Sequence, residues 1–462
     1  MSKIQRYTKI FSAALSIVLI LSPQVSAISI TAPSNGQIPA DDSTVVSGSA
    51  NAGRTVIVSE NGSTLGGAIA DGSGNWSTTV SGLSAGTHTL TATEISTSYG
   101  YFSTTGASNY FNRVLSGDTT LNPGGGGYPA LLSSEKLNIV GVQPTGNKWY
   151  IKSISDSSDI AGLVDISAPA EPVSVTGYDA IPGTGNGAST LDGTKLYLPD
   201  DELDQVTVVD YATNTAINTI PLTVGQYQST ASTSSNGLVY VVDGENLAVI
   251  NPATDTIVKT IPTGCTGGPG LVSFPRGQDY YYLPCAQQGS VQKRGVSDDT
   301  VLNTYDVTAF TPSVGSVYQI PDGSKAYING VYGTSSQNKI FGFNTQTGEL
   351  ISTITLTAAS FAGTMSPDGQ YIYAPTQGSF DTQNIDVIST ATDTIIDQID
   401  TSALGIPGPM QFAAAEELST ELSVTVASAQ QLASTGSPVS VYALISVSAI
   451  FAAGIILQKK LR

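Results

Sequence analysis

The chain of 462 residues has one histidine, two cysteines and 36 acidic side chains, so its chemistry has few starting points. His88 lies in Gly-Thr-His-Thr-Leu at the start of a strand-like run, with no nucleophile beside it. It reads as a strand-end packing residue, and no Ser-His-Asp set can form in the rest of the chain. Carboxylates are the remaining acid–base groups. Asp200, Asp201, Glu202 and Asp204 cluster in PDDELD, and paired acids can cleave glycosidic bonds. A short acidic run is also the ordinary form of a solvated loop, and this one lacks the spacing of a calcium loop. Cys265 and Cys285 sit symmetrically about Pro275-Arg276-Gly277-Gln278. A hairpin there brings them together, and an oxidising compartment joins them as a disulfide; the alternative is two free packing thiols. Zinc-type ligand spacing is absent. Tyr280, Tyr281 and Tyr282 form an aromatic run in the same hairpin. In a strand they alternate between faces, so at least one packs inward, leaving a sugar or peptide contact open for the others. The expectation is no catalytic residue, no cofactor and no metal site.

The elements that carry these residues are strands. Gly, Ser, Thr, Asn and Asp are abundant, charged residues are only 12%, and short apolar runs alternate with turn signals, which reads as all-β. Residues 28–115 form a first unit, with Asn-Gly, Asp-Gly and Ala-Gly turns between alternating runs and Trp76 as a core aromatic. The string GNWSTTVSGLSAGTHTLTA resembles the bacterial Ig-like β-sandwich domains of surface proteins. Residues 116–127, SGDTTLNPGGGG, read as a flexible Gly-rich linker.

Beyond the linker the chain repeats. Asp192-Gly193, Asn236-Gly237, Arg276-Gly277, Asp322-Gly323 and Asp368-Gly369 each precede a strand containing tyrosine, and their glycines are 44, 40, 46 and 46 residues apart. A second anchor (VTVVDYATNT, LAVINPATDT, VQKRGVSDDT, IFGFNTQTGE, IDVISTATDT) and a short apolar run follow each time. Four strands per period of 40–50 residues is the pattern of β-propeller blades. The first strand of each period is rich in small residues, as strands converging on an axis require. The repeat resembles the YVTN family of surface and secreted propellers, the tetrad standing as Tyr197-Leu198-Pro199-Asp200, Tyr240 to Asp243, Tyr282 to Cys285, Tyr327 to Gly330 and Tyr373 to Thr376, with only the Tyr constant. The propeller is expected over 128–415. A degenerate blade comes first, with 144–158 as an insertion. The ring has six blades, or seven if Tyr99 to Leu121 joins it; seven is favoured. Residues 416–431 read as a Ser/Thr/Ala-rich spacer.

Both ends read as targeting signals. Residues 1–27 combine basic residues, an uncharged apolar stretch and Val25-Ser26-Ala27, a signal peptide cut after Ala27. At the other end, Leu432-Ala433-Ser434-Thr435-Gly436 precedes 19 uncharged residues, 439–457, and a basic close at Lys459, Lys460 and Arg462. As a helix that stretch reaches about 28 Å, enough to span a membrane. The order of pentapeptide, apolar span and basic stop over 432–462 resembles an LPxTG-type cell-wall sorting signal in its LAxTG form. The resemblance implies a sortase that cleaves after Thr435 and transfers the chain to cell-wall peptidoglycan; a retained membrane helix is the alternative.

Charge narrows the partners. Six of the 18 basic residues lie in the two terminal signals, so the remainder carries 36 acids against 12 bases. That disfavours nucleic acid and anionic lipid. The sequence therefore predicts an extracytoplasmic, envelope-anchored propeller of a Gram-positive-type bacterium that binds a protein or glycan and is not an enzyme. The alternatives are a lactonase- or lyase-like enzyme and a structural surface-layer component.

Overall fold

The computed structural model describes residues 28–34, 37–38, 43–105, 109–120, 128–129, 137–144, 148–153, 161–165, 175–176, 186–200, 203–222, 230–311, 313–330, 334–360, 363–377, 383–408, 410–415 and 417–426. They form two all-β units, a sandwich and a seven-bladed propeller. The signal peptide with Ala27 and the sorting signal with Leu432, Ala433, Ser434, Thr435, Gly436 and the apolar span 439–457 lie outside the described residues. So do the expected terminal helices, and no helix among the described residues is long and apolar enough to cross a membrane.

The sandwich packs two sheets. One is Ser29–Ala32, Ser43–Ser49 and Asn75–Ser81; the other runs in the order Gln37–Ile38, Glu417–Val426, Gly86–Ile95, Thr55–Glu60, Ser63–Ile69. Alternation places Val46, Val56, Val58, Trp76, Val80, Leu90 and Ala92 between them, joined by Val424 and Val426 from the far end of the chain. Glu417–Val426 pairs antiparallel with Gly86–Ile95 over ten residues. The expected spacer at 416–431 is therefore corrected over 417–426, which is a structural strand. Ser419, Ser423 and Thr425 are exposed, while Val424 and Val426 are buried.

The propeller lies between these two sandwich strands in the chain. Six sheets follow in sequence, and a seventh joins Tyr99–Thr105, Asn109–Leu115 and Tyr128–Pro129 to Ile406–Pro407 and Gln411–Phe412 from the end of the ring. This shared sheet, blade 1, touches blade 2 on one side and blade 7 on the other, which closes the circle. Tyr99–Leu115 thus belongs to the ring and not to the sandwich, so the expected boundary at 115 moves to about 96–98. The expected linker at 116–127 connects two strands of blade 1, and its first residue, Ser116, is buried. The expected insertion at 144–158 contains the second strand of blade 2, Lys148–Ser153.

The repeated features have local causes. The turn glycines Gly193, Gly237, Gly277, Gly323 and Gly369 all have φ between 68° and 83°, a conformation that side chains with a Cβ rarely take. Inner strands hold to one another through small hydroxyls: Ser189 Oγ donates to Val142 O (2.8 Å), Thr233 Oγ1 to Ser189 O (2.7 Å) and Ser232 Oγ to Val272 O (2.7 Å). The outer strands of blades 3 to 7 each carry a bulge at one register position, and the extra residue is an exposed aliphatic: Ile217, Val258, Leu302, Ile351 or Ile396.

Tyrosine is the constant member of the tetrad because its hydroxyl reaches the next blade. Tyr197 donates to Asp255 and Tyr327 to Asp393 (2.5 Å), each acid at the turn between the third and fourth strands of the following blade. Lys195 and Lys325 reach the same acids at 2.9 and 2.7 Å. Tyr240 and Lys259 converge likewise on Asp299, at 3.1 and 2.6 Å. All three acids sit at positive φ, which Asp tolerates, so one residue serves both turn and staple. At the closure, Tyr373 accepts from Gly117 N (2.9 Å) and donates to Asp118 O (3.2 Å) in blade 1.

Candidate functional site

The inner strands surround a cavity of about 540 Å³ at the propeller axis, to which every blade contributes. Apart from Arg276 the described lining is uncharged: Ser189, Ser232, Thr233, Ser273, Thr364 and Ser366 supply hydroxyls, Gln319 and Gln411 supply amides, and Phe274, Tyr318 and Phe412 supply aromatic surface. Among the described residues no carboxylate or imidazole lines it. Its one charged lining residue, Arg276, is ion-paired with Glu417 of the sandwich.

The sandwich sits at this end of the ring. Thr55 Oγ1 donates to Asp368 O (2.8 Å), Gln370 Nε2 to Gly53 O (2.9 Å), and Thr64 N and Oγ1 both donate to Gly277 O, at 3.2 and 2.9 Å. These contacts fall on the repeated glycine turns of blades 5 and 7. The two chain crossings between the units are tied to each other, with Ser98 Oγ donating to Ala413 O (2.8 Å) and Ala413 N to Tyr99 O (3.0 Å).

Gln319 is the most constrained polar group at the cavity. It is 7% exposed, and its Oε1 accepts from Tyr280 (2.8 Å) and Tyr282 (2.6 Å) of blade 5. Burial pushes the Tyr280 phenol up to about 12, and raises that of Tyr282 further. Both are neutral donors at ordinary pH, which fixes the amide with its oxygen toward them. Its Nε2 has no hydrogen-bond partner.

The residues singled out from the sequence fall elsewhere. Cys265 and Cys285 form a disulfide with Cα atoms 5.0 Å apart, in the core shared by blades 4 and 5. It ties the strand Tyr280–Cys285 to the segment before it, which pairs with that strand only at Ser273 and at Gly270. Tyr280, Tyr281 and Tyr282 are all buried. The first and third face Gln319, while Tyr281 packs against Tyr240 and Phe274 and donates to Asp299 (3.1 Å). The run offers no exposed contact, because its blade is sandwiched between two others. Asp200 is buried and accepts from Leu203 N (3.0 Å), and Asp204 takes a left-handed turn; Asp201 and Glu202 lie outside the described residues. No group of three or more metal-ligating side chains occurs among the described residues.

His88 lies in the sandwich. Its ring nitrogens contact Ser84 O and Glu60 Oε1, each at 2.8 Å. The Ser84 carbonyl first, and Glu60 second, favour the protonated ring and raise its pKa. Gln319 had no signal in the sequence, since the two phenols that orient it come from a neighbouring blade.

No protein-family model and no curated protein matches the chain. Solved structures do. A protein from Bacteroides uniformis that carries the provisional name 6-phosphogluconolactonase aligns at TM-score 0.52 and 15% identity, over 68% of this chain and 99% of its own. A protein from Lactobacillus plantarum aligns at TM-score 0.53 and 13% identity, over 69% of this chain and 99% of its own. At such identities the likeness is one of fold alone.

Proposed function

We propose that this is an envelope-displayed binding protein whose propeller is the recognition head. The observation that carries the reading is the neutral wall of the axial cavity. A surface of hydroxyls, amides and aromatic rings suits binding, whereas hydrolysis needs a group that moves a proton. The terminal sequences support export through cleavage after Ala27 and attachment by a sortase at Leu432–Gly436 to peptidoglycan, or retention by the apolar span. The first unit is read as an Ig-like spacer and the repeats as YVTN-type blades. Incubating region 28–431, which contains every described strand of both units, with glycan and protein arrays tests the reading. Saturable binding to one class supports it; blank arrays with and without Ca²⁺ overturn it.

Lactone hydrolysis is the second reading, favoured by the name of the Bacteroides neighbour. A phosphosugar lactone calls for free cations, and Arg276 is engaged by Glu417. Turnover of 6-phosphogluconolactone by the purified region would move the assignment to that class.

A further inference from the structure

We propose that the open half of the ring face that carries the glycine turns, over blades 3 and 4, docks an extended strand of a partner protein. This rests on the recognition reading and names its face and its partner. The sandwich already covers the other half in this way. Its edge strand Ser63–Ile69 lies on the turns of blades 5 and 6, where Thr64 gives both its N–H and its hydroxyl to the Gly277 carbonyl. Gly67 lets that backbone settle on blade 6, since a Cβ there would come within 2.7 Å of Asp322 Cβ. Pro275, Pro321 and Asp368 are buried at the covered turns, whereas Leu191, Asp192, Ser235 and Asn236 are exposed at the uncovered ones.

Blade 4 repeats the feature that the sandwich uses on blade 5. In blades 6 and 7 the turn-glycine carbonyl accepts from a threonine of its own blade, Thr345 (2.5 Å) or Thr390 (2.7 Å). In blade 3, Gly193 O accepts from Gln143 of blade 2 (2.8 Å). The place of that threonine is held by Val296 in blade 5 and by Pro252 in blade 4, and neither has a hydroxyl. Thr64 of the sandwich supplies the donor at Gly277, while no described residue supplies one at Gly237. Leu191 adds an apolar anchor beside it: the side chain is 59% exposed, and its Cδ1 lies 3.9 Å from where a Cβ on Gly237 would stand. A backbone acceptor next to an exposed leucine suits a strand edge, which brings an N–H and a side chain together. The exposed turn residues include no aromatic ring on which a sugar could lie. A second copy of this chain is disfavoured as the occupant, because at a formal net charge of −18 the copies repel one another.

The experiment selects a phage-displayed library of random linear peptides on region 28–431 and titrates the synthesised winners by calorimetry. Leu191→Ser removes the anchor, and Ser235→Lys sets a long side chain over blade 4. Each should weaken binding about tenfold or more. Both replace exposed residues, so the melting transitions should stay in place. Leu203→Glu changes an exposed leucine at the opposite end of the strands of blade 3 and should leave the affinity unchanged. A library without binders, affinity indifferent to both turn variants, or equal loss with Leu203→Glu overturns the inference. So does self-association at micromolar concentration that Leu191→Ser abolishes, which would give the face to a second copy. If the arrays return a glycan or protein whose binding survives both turn variants, the recognition reading stands without this inference; if arrays and library are both blank, both fall.

Discussion

The propeller and the sandwich are built from the same residue types but close by different rules. From blade 3 round to blade 1 a Tyr hydroxyl (Tyr197, Tyr240, Tyr282, Tyr327 or Tyr373) bonds each blade to the next, and inner-strand Ser and Thr hydroxyls link blades 2 to 5, so the ring's stability is a sum of neighbouring contacts. The sandwich takes its strands from positions more than 300 residues apart, and Val424 and Val426 fill a core begun by Ile28 and Val46. A repeat announces itself in the sequence, whereas a long-range closure does not. The ring should therefore lose stability in small steps and the sandwich in one.

Deleting 417–426 tests this most severely. It uncovers the edge of Gly86–Ile95 and removes two buried valines, each worth about 1.5–3 kcal/mol. The sandwich should become sensitive to protease at once, while the ring keeps its own melting transition; loss of both together would erase the distinction. Within the ring, Cys265→Ser with Cys285→Ser opens a loop with a sequence separation of 20 and should cost about 3 kcal/mol on the chain-entropy account. Calorimetry should place that loss in the ring transition alone.

The staples offer a finer measurement. Tyr197→Phe or Tyr327→Phe removes a hydrogen bond to a carboxylate, worth about 1.5–3 kcal/mol, and Tyr305→Phe removes one to the Thr345 carbonyl of blade 6, worth about 1 kcal/mol. Denaturant titration should rank them in that order, and equal losses would mean that the acids add nothing. The smallest effect is expected in the sandwich. His88 has a raised pKa in the folded chain, so its contribution is fully present below about pH 6.5 and fades as pH rises through the raised value. His88→Gln should flatten that slope in the sandwich transition and leave the ring's pH profile unchanged.

Much of this architecture was legible from residue patterns. The Asp-Gly turns and the tyrosine that follows them fixed the blades, and the small inner strands placed the axis. The alternation of Leu418, Leu422, Val424 and Val426 with serine, threonine and glutamate also marked a strand, but its composition is that of a wall-spanning spacer. Local pattern alone could not say which sheet had a vacancy. The alternation of Tyr99 to Leu115 fits either unit: the seven-bladed count favours the ring, the bound at 115 gives it to the sandwich, and only its partners at Ile406–Phe412 decide for the ring. Tyr280 to Tyr282 were visible as an aromatic run, yet their burial depends on two flanking blades. Gln319 shows the limit of such reading, since its role is defined by phenols 37 and 39 positions away.

The paired crossings at 95–99 and 413–417 bear on how the molecule transmits mechanical tension. A pull applied beyond Val426 and resisted at the ring travels along covalent backbone through Glu417–Val426 into Gln411–Phe412, without first shearing any sandwich ladder. The short pairing of Gln411 and Phe412 with Tyr101 and Gly100 then becomes the fuse. The wheel would unbuckle at the seam where its two ends meet, while its other six spokes hold their shape.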